Sequence, residues 1–227
     1  MPERKCYALN LGLVDYKKAY ELQKHLAEAR KACRIDDLLL LLEHPPVITL
    51  GKGAKRENIL ASPETLSQER IEVVEVDRGG DVTYHGPGQL VGYPIINLGN
   101  YEKDVHQNLR NLEEVLIRLL KEYNLEPSRK EGYTGVWVGD KKIASLGIKV
   151  SRWISYHGFS LNINPSLRHF SLIKPCGLPP EKITSLKRLL EREIDISEVR
   201  QKLIKQFGDV FSIEMREVKW DQIQSKQ

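Results

Sequence analysis

The chain has 227 residues, 41% hydrophobic and 29% charged, with a formal net charge of +4. That balance belongs to an ordinary folded domain and excludes a disordered chain, and no apolar run nears the ~20 residues that span a bilayer. The basic residues are interleaved with acidic ones, which describes a solvated mixed-charge surface, and there is no nucleic-acid motif. Met1-Pro2-Glu3-Arg4-Lys5 leads into mixed sequence with no apolar region of a secretory signal. Three cysteines, Cys6, Cys33 and Cys176, fit neither a zinc motif nor a disulfide framework. A reducing, cytoplasmic location without membrane or nucleic-acid partners is expected, and no metal site.

From Asp15 to Ala32, Tyr16, Ala19, Tyr20, Leu26 and Ala27 recur at helical spacing. Cys33, inside the same pattern beside Ala32, reads as a half-buried packing residue, and Cys6 as the start of a strand. Leu38 to Leu42 is a short apolar strand that ends at His44-Pro45-Pro46, where two prolines forbid helix. Val47 to Leu50 and Ile71 to Val76 read as further strands. Val105, Leu109, Leu112, Leu116, Leu119, Leu120 and Tyr123 form the clearest amphipathic helix, with Asp104 as its N-cap. Gly135 to Val138 and Lys142 to Val150 read as a hairpin through Gly139-Asp140, and Trp153 to Ile163 as the next strand. Helical spacing returns after Pro180, at Leu186, Leu189 and Leu190, then Ile196, Val199, Leu203 and Phe207. Without regular βαβ alternation, an α+β fold with a mixed sheet flanked by helices is expected. It forms one domain over 1–227, with a small helical portion from about 181–227.

Four stretches carry unusual chemistry. Arg78-Gly79-Gly80-Asp81-Val82-Thr83-Tyr84-His85-Gly86-Pro87-Gly88-Gln89-Leu90 follows a strand and is rich in glycine, so its backbone can approach a ligand closely. The same residues also suit an elaborate loop with two tight turns. Lys174-Pro175-Cys176-Gly177-Leu178 puts a cysteine between proline and glycine, a poor place for a packing residue. Reactivity there needs a nearby base or cation. Lys142-Ile143-Ala144-Ser145-Leu146-Gly147 offers one if Lys142 starts a strand and points inward, whereas Lys141 reads as a solvated charge. Ser155-Tyr156-His157-Gly158-Phe159-Ser160-Leu161-Asn162 sets a histidine before glycine in an alternating strand. Its side chain is either satisfied by backbone hydrogen bonds or chemically active.

Together these stretches resemble the lipoyl(octanoyl) transferase family over most of the chain. Glu43-His44-Pro45-Pro46-Val47-Ile48-Thr49-Leu50-Gly51 and Tyr93-Pro94 add to the likeness. The resemblance implies the fold of biotin and lipoate protein ligases, with no cofactor. It implies transfer of octanoyl from octanoyl-acyl carrier protein to a lysine ε-amine on lipoyl domains of 2-oxoacid dehydrogenases or the glycine-cleavage H protein. This is the first step of making protein-bound lipoate. Cys176 is then the acyl-carrying nucleophile, and Lys142 the group that favours its thiolate and later accepts a proton. Arg78, Gly79, Gly80, Asp81, Val82, Thr83, Tyr84 and His85 are expected to line the acyl pocket, together with Ser145, Leu146, Gly147, His157, Gly158, Phe159 and Ser160. By the same resemblance His85 and His157 are candidates to orient groups or shuttle protons, their exact roles left open. A ligase of the same fold would instead activate a free acid with ATP, and an amidotransferase would take octanoyl from an acylated protein.

Overall fold

The computed structural model describes residues 4–101 and 103–224. Met1-Pro2-Glu3, and the last residues of the expected helical portion, lie outside the described residues. Chain order is β1 (Lys5–Leu13), α1 (Tyr16–Lys31), β2 (Asp37–Glu43), β3 (Val47–Leu50), α2 (Pro63–Gln68), β4 (Glu72–Glu75), β5 (Val82–His85) and β6 (Gln89–Ile95). There follow α3 (Val105–Lys121), β7 (Pro127–Lys130), β8 (Tyr133–Val138), β9 (Lys141–Ser151), β10 (Ile154–Asn162), α4 (Leu186–Leu190), α5 (Ile196–Phe211), β11 (Glu214–Glu217) and α6 (Trp220–Gln224). The larger sheet runs β11-β1-β2-β6-β10-β9-β8-β7, and a smaller one runs β4-β3-β5. β1 pairs in parallel with both β2 and β11, while β6, β10, β9 and β8 are antiparallel. The sheet is therefore mixed, as expected.

Local chemistry explains the helix ends. Asp15 caps α1 by accepting the Lys18 N–H, and Asp104 caps α3 by accepting from His106 and Gln107 at 2.7 and 3.1 Å. Past Lys31 the chain departs from the helical reading. Cys33 has φ 56° and is exposed, not half-buried. Its N–H reaches the Arg30 carbonyl and the Arg34 N–H the Ala29 carbonyl, a Schellman stop that turns Cys33 away from the core.

Leu112, Leu116, Leu119 and Leu120 on α3 are fully buried against the sheet and α5, each stabilising by about 2 kcal/mol. β10 does not alternate. All nine of its residues are buried, because it sits mid-sheet with α1 on one face and α3 on the other. Beyond Pro180 the segment includes a strand besides the expected helices, and β11 extends the large sheet through β1.

The glycine-rich stretch also differs from a continuous loop. Residues 78–81 are loop and 86–88 a turn, while Val82–His85 is β5 of the small sheet and Gln89 opens β6 of the large one. The Gly86–Gly88 turn thus carries the chain from one sheet to the other. Where they meet, a cavity opens.

Candidate active site

Lys142 is the second residue of β9 and faces inward, only 3% exposed. Its stem passes over Gly135 of β8, where a Cβ would come within 2.5 Å of Lys142 Cε. Only glycine leaves that passage open. Glu113 of α3 is fully buried, accepts the Gly135 N–H at 3.0 Å and is paired with Arg110 and Arg129. Lys142 Nζ lies 5.1 Å from the centre of the Trp137 ring. Burial pulls the lysine's pKa below the ordinary range, Arg78 adds to this, and negative charge on Cys176 and Glu113 opposes it.

Cys176 occupies the tight turn Pro175–Gly177 with φ 54° and ψ 33°, a left-handed conformation that costs a non-glycine residue about 1 kcal/mol. The turn is held in place by neighbours. The Lys174 N–H donates to the Asn58 carbonyl at 2.8 Å, and Gly177 and Leu178 bond back to Lys174 and Pro175. Cys176 is exposed and lines the same cavity as buried Lys142.

The remaining wall comes from the expected segments. Arg78, Gly80, Asp81, Val82, Thr83 and His85 line it on one side, and Ser145, Leu146, Gly147, His157, Gly158, Phe159 and Ser160 on the other. Gly79 and Tyr84 stand behind the wall. The Gly79 N–H donates to the Ile148 carbonyl, and the Gly79 carbonyl lies so close to Gly147 that a Cβ there would come within 2.6 Å. Tyr84 turns into the smaller sheet's core, bonding His169 Nδ1 at 2.8 Å and packing on Phe170. Arg78 is nearly buried, and its guanidinium donates to the Thr49 carbonyl and hydroxyl at 2.9 and 2.8 Å.

Tyr16, Tyr93 and Pro175 also line the cavity, and sequence reasoning did not place them there. Tyr16 carries no signal beyond its part in an apolar stripe. Glu113 did carry one, since an acid set four residues after Leu109 and three before Leu116 falls on the buried face of α3. Asp77 was missed too. It accepts hydrogen bonds from Tyr20 at 2.7 Å, Tyr156 at 2.5 Å and His157 Nε2 at 3.0 Å. Burial raises its pKa, but those donors outweigh it and hold the carboxyl at about 2.

Three histidines are buried, and burial disfavours the charged form of each. His44 donates from Nδ1 to the Val14 carbonyl at 2.7 Å and accepts the Tyr93 hydroxyl at Nε2. His85 bonds Gln89 at 3.1 Å, and His157 has φ 55° with its N–H on Gln23. Burial lowers His44 and His157 to about 4 and His85 well below 6.5. A buried neutral histidine takes up its proton only on unfolding once pH drops below 6.5. Its stabilising effect is therefore complete above that value and lost as pH falls toward about 4. Unfolding free energy from urea titrations is expected to drop by at least about 2 kcal/mol per pH unit near pH 5, nearly one proton each for His44 and His157, with His85 adding in the same direction. A flat profile there would mean that the histidines protonate in place.

With this geometry in view, comparison with known proteins is informative. The family model of the lipoyl protein ligase A/B catalytic domain matches residues 15–208, from the foot of α1 into α5. The chain belongs to this family. An octanoyltransferase of Caldicellulosiruptor saccharolyticus is 52% identical over 213 residues, covering 93% of this chain and 89% of the relative. Among solved structures, a bipartite lipoate protein ligase from Thermoplasma acidophilum superposes with a TM-score of 0.77 at 17% identity, over 98% of this chain and 90% of the other. Biotin protein ligase from Aquifex aeolicus gives 0.53 at 14% identity, over 92% and 69%. At those identities the likeness is one of fold, the biotin and lipoate ligase fold expected from sequence. Among the described residues, no helix is long and apolar enough to cross a membrane.

Proposed function

We propose that this chain is a cytoplasmic octanoyltransferase working as one catalytic domain. It takes octanoyl from octanoyl-acyl carrier protein onto Cys176 and passes it to a lysine ε-amine on lipoyl domains of 2-oxoacid dehydrogenases or the glycine-cleavage H protein. The observation that carries this reading is the pairing, in one cavity, of an exposed cysteine in a strained turn with a buried lysine of lowered pKa. The octanoyltransferase relative, at more than half identity over nearly the whole chain, supports the acyl group and the reaction class.

The chemistry balances without ATP. The Cys176 thiolate attacks the donor's carbonyl, and the carrier sulfur leaves as a thiolate that takes up the proton Lys142 gives up, a nearly thermoneutral exchange. While Cys176 is anionic it raises the lysine's pKa and so keeps Lys142 cationic beside it. Once the sulfur is acylated that charge is gone, and burial favours neutral Lys142. The neutral amine then takes a proton from the incoming lysine as it attacks the thioester, and the Cys176 thiolate departs. One structural change, acylation, therefore switches Lys142 from ion partner to base.

The test is donor dependence. Purified protein given octanoyl-acyl carrier protein and an unmodified lipoyl domain is expected to produce octanoylated domain without ATP, read by intact mass. Modification that requires free octanoate and ATP, with none from the thioester, would move the protein to ligase chemistry.

A further inference from the structure

Behind the cavity wall runs a chain of buried side-chain hydrogen bonds whose direction is fixed at every step. Asn162, at the end of β10, turns Nδ2 to the Thr184 carbonyl at 2.9 Å, and a backbone carbonyl only accepts. Its Oδ1 is therefore the atom that meets Gln89 Nε2 at 3.0 Å, and the second Nε2 hydrogen goes to the Tyr84 carbonyl at 3.1 Å. That leaves Gln89 Oε1 facing His85 Nδ1 at 3.1 Å, so Nδ1 carries the hydrogen. Flipping either amide would set oxygen against oxygen, a costly arrangement because Asn162, Gln89 and His85 are all buried. Burial also disfavours a second proton on His85, so its other nitrogen, Nε2, keeps a bare lone pair. At the far end the Thr184 N–H donates to the Lys142 carbonyl at 2.9 Å, which seats the chain on the strand that carries the base.

The neighbouring histidines lack such a free acceptor. His44 Nε2 takes the Tyr93 hydroxyl, while His157 engages Asp77 through Nε2 and has its Nδ1 enclosed without a partner. Among the described residues no hydrogen bond reaches His85 Nε2, and His85 lines the cavity whereas Gln89 and Asn162 stand behind it. A fixed acceptor on a cavity wall serves an entrant that brings an N–H. Once the carrier has left, the acyl chain and its thioester carbonyl bring none, but the attacking amine does. We propose that Gln89 and Asn162 are positioning residues that hold His85 in its Nδ1–H form, and that His85 Nε2 accepts a hydrogen bond from the acceptor lysine's amine and so aims the amine at the Cys176 thioester. This rests on the transfer chemistry proposed above. No proton passes to His85, and the one released by the attacking amine still goes to Lys142.

The first test reads the tautomer without any reaction. Long-range nitrogen–proton NMR of the full chain, with its six histidines labelled with nitrogen-15, is run at neutral pH, and the signals lost in His85→Asn identify His85. Wild type is expected to show Nδ1 protonated and Nε2 bare at His85. Gln89→Met, which removes the acceptor, should populate the Nε2–H form. The second test separates the two half-reactions. His85→Asn reproduces the reach of Nδ1 to Gln89 but has nothing in place of Nε2, so it should slow transfer from pre-acylated protein to lipoyl domain at least about tenfold more than it slows adduct formation. His85→Gln, which sets an amide oxygen near the Nε2 position, should recover part of that loss. An Nε2–H tautomer in wild type would overturn the proposal even if the variants failed to fold. Equal slowing of both steps in a folded His85→Asn would overturn it too, and either result leaves octanoyl transfer intact. If the thioester donor does not acylate wild type, the transferase reading itself fails and this proposal with it.

Discussion

Cys176→Ala is expected to abolish octanoyl transfer, with kcat/KM falling by at least about a thousandfold, or about 4 kcal/mol of transition-state stabilisation. No octanoyl adduct should appear on the variant by intact mass, whereas the wild-type adduct should be cleaved by hydroxylamine. Loss of folding cannot account for such a result. Cys176 is exposed and contributes no core packing, so its truncation should change stability by no more than about 0.5 kcal/mol. A second substitution sharpens the argument. At φ 54° a cysteine is strained, and glycine adopts that conformation freely. Relief of strain and the added entropy of the unfolded chain roughly cancel, so Cys176→Gly should be as stable as wild type yet inactive. Stability unchanged and activity lost in Cys176→Gly would mark this strained side chain as one held for chemistry and not for the fold. Wild-type transfer by either variant would remove Cys176 from the mechanism.

Lys142→Arg is expected to separate the two half-reactions. Arginine keeps a positive charge beside the sulfur, so the adduct on Cys176 should still form within about tenfold of the wild-type rate. It does not give up its proton at any accessible pH, so transfer to the acceptor lysine should slow by at least about a hundredfold. Single-turnover mixing of pre-acylated protein with lipoyl domain measures the second step alone. In wild type that step should rise with pH and level off below the ordinary lysine range, since burial lowers the Lys142 pKa. In the variant the rise should be missing. Transfer at the wild-type rate by Lys142→Arg would assign the proton to another group, and His157, tied to Asp77, would be the next to test. Lys142→Met removes both functions and should slow both steps.

Much of the architecture was legible in the chain. The apolar positions of α3 recur at helical spacing behind an aspartate cap, and β3 falls where two prolines end and a β-branched run begins. Such elements announce themselves because one periodicity decides them. β5 and β6 did not. Their glycines, proline and polar residues read as turn, and they are strands because neighbouring strands complete their hydrogen bonds from both sheets. Cys33 was misread for the opposite reason, since helical pattern continues past the point where the Schellman bonds end the helix. The alternation read into β10 also failed, because a strand covered on both faces has no solvent side to mark.

The sequence alone determined the motifs that carry the family resemblance and the α+β class, because these depend on local order and spacing. Only the tertiary structure decided that Lys142 is buried beside the cavity that Cys176 lines, that Gly135 clears its path, and that Glu113, Asp77, Tyr16 and Tyr93 belong to the surroundings of the site. Those facts depend on which strands become neighbours. Burial and opposing charge, which set the protonation of Lys142, arise only when residues far apart in the chain close around one another.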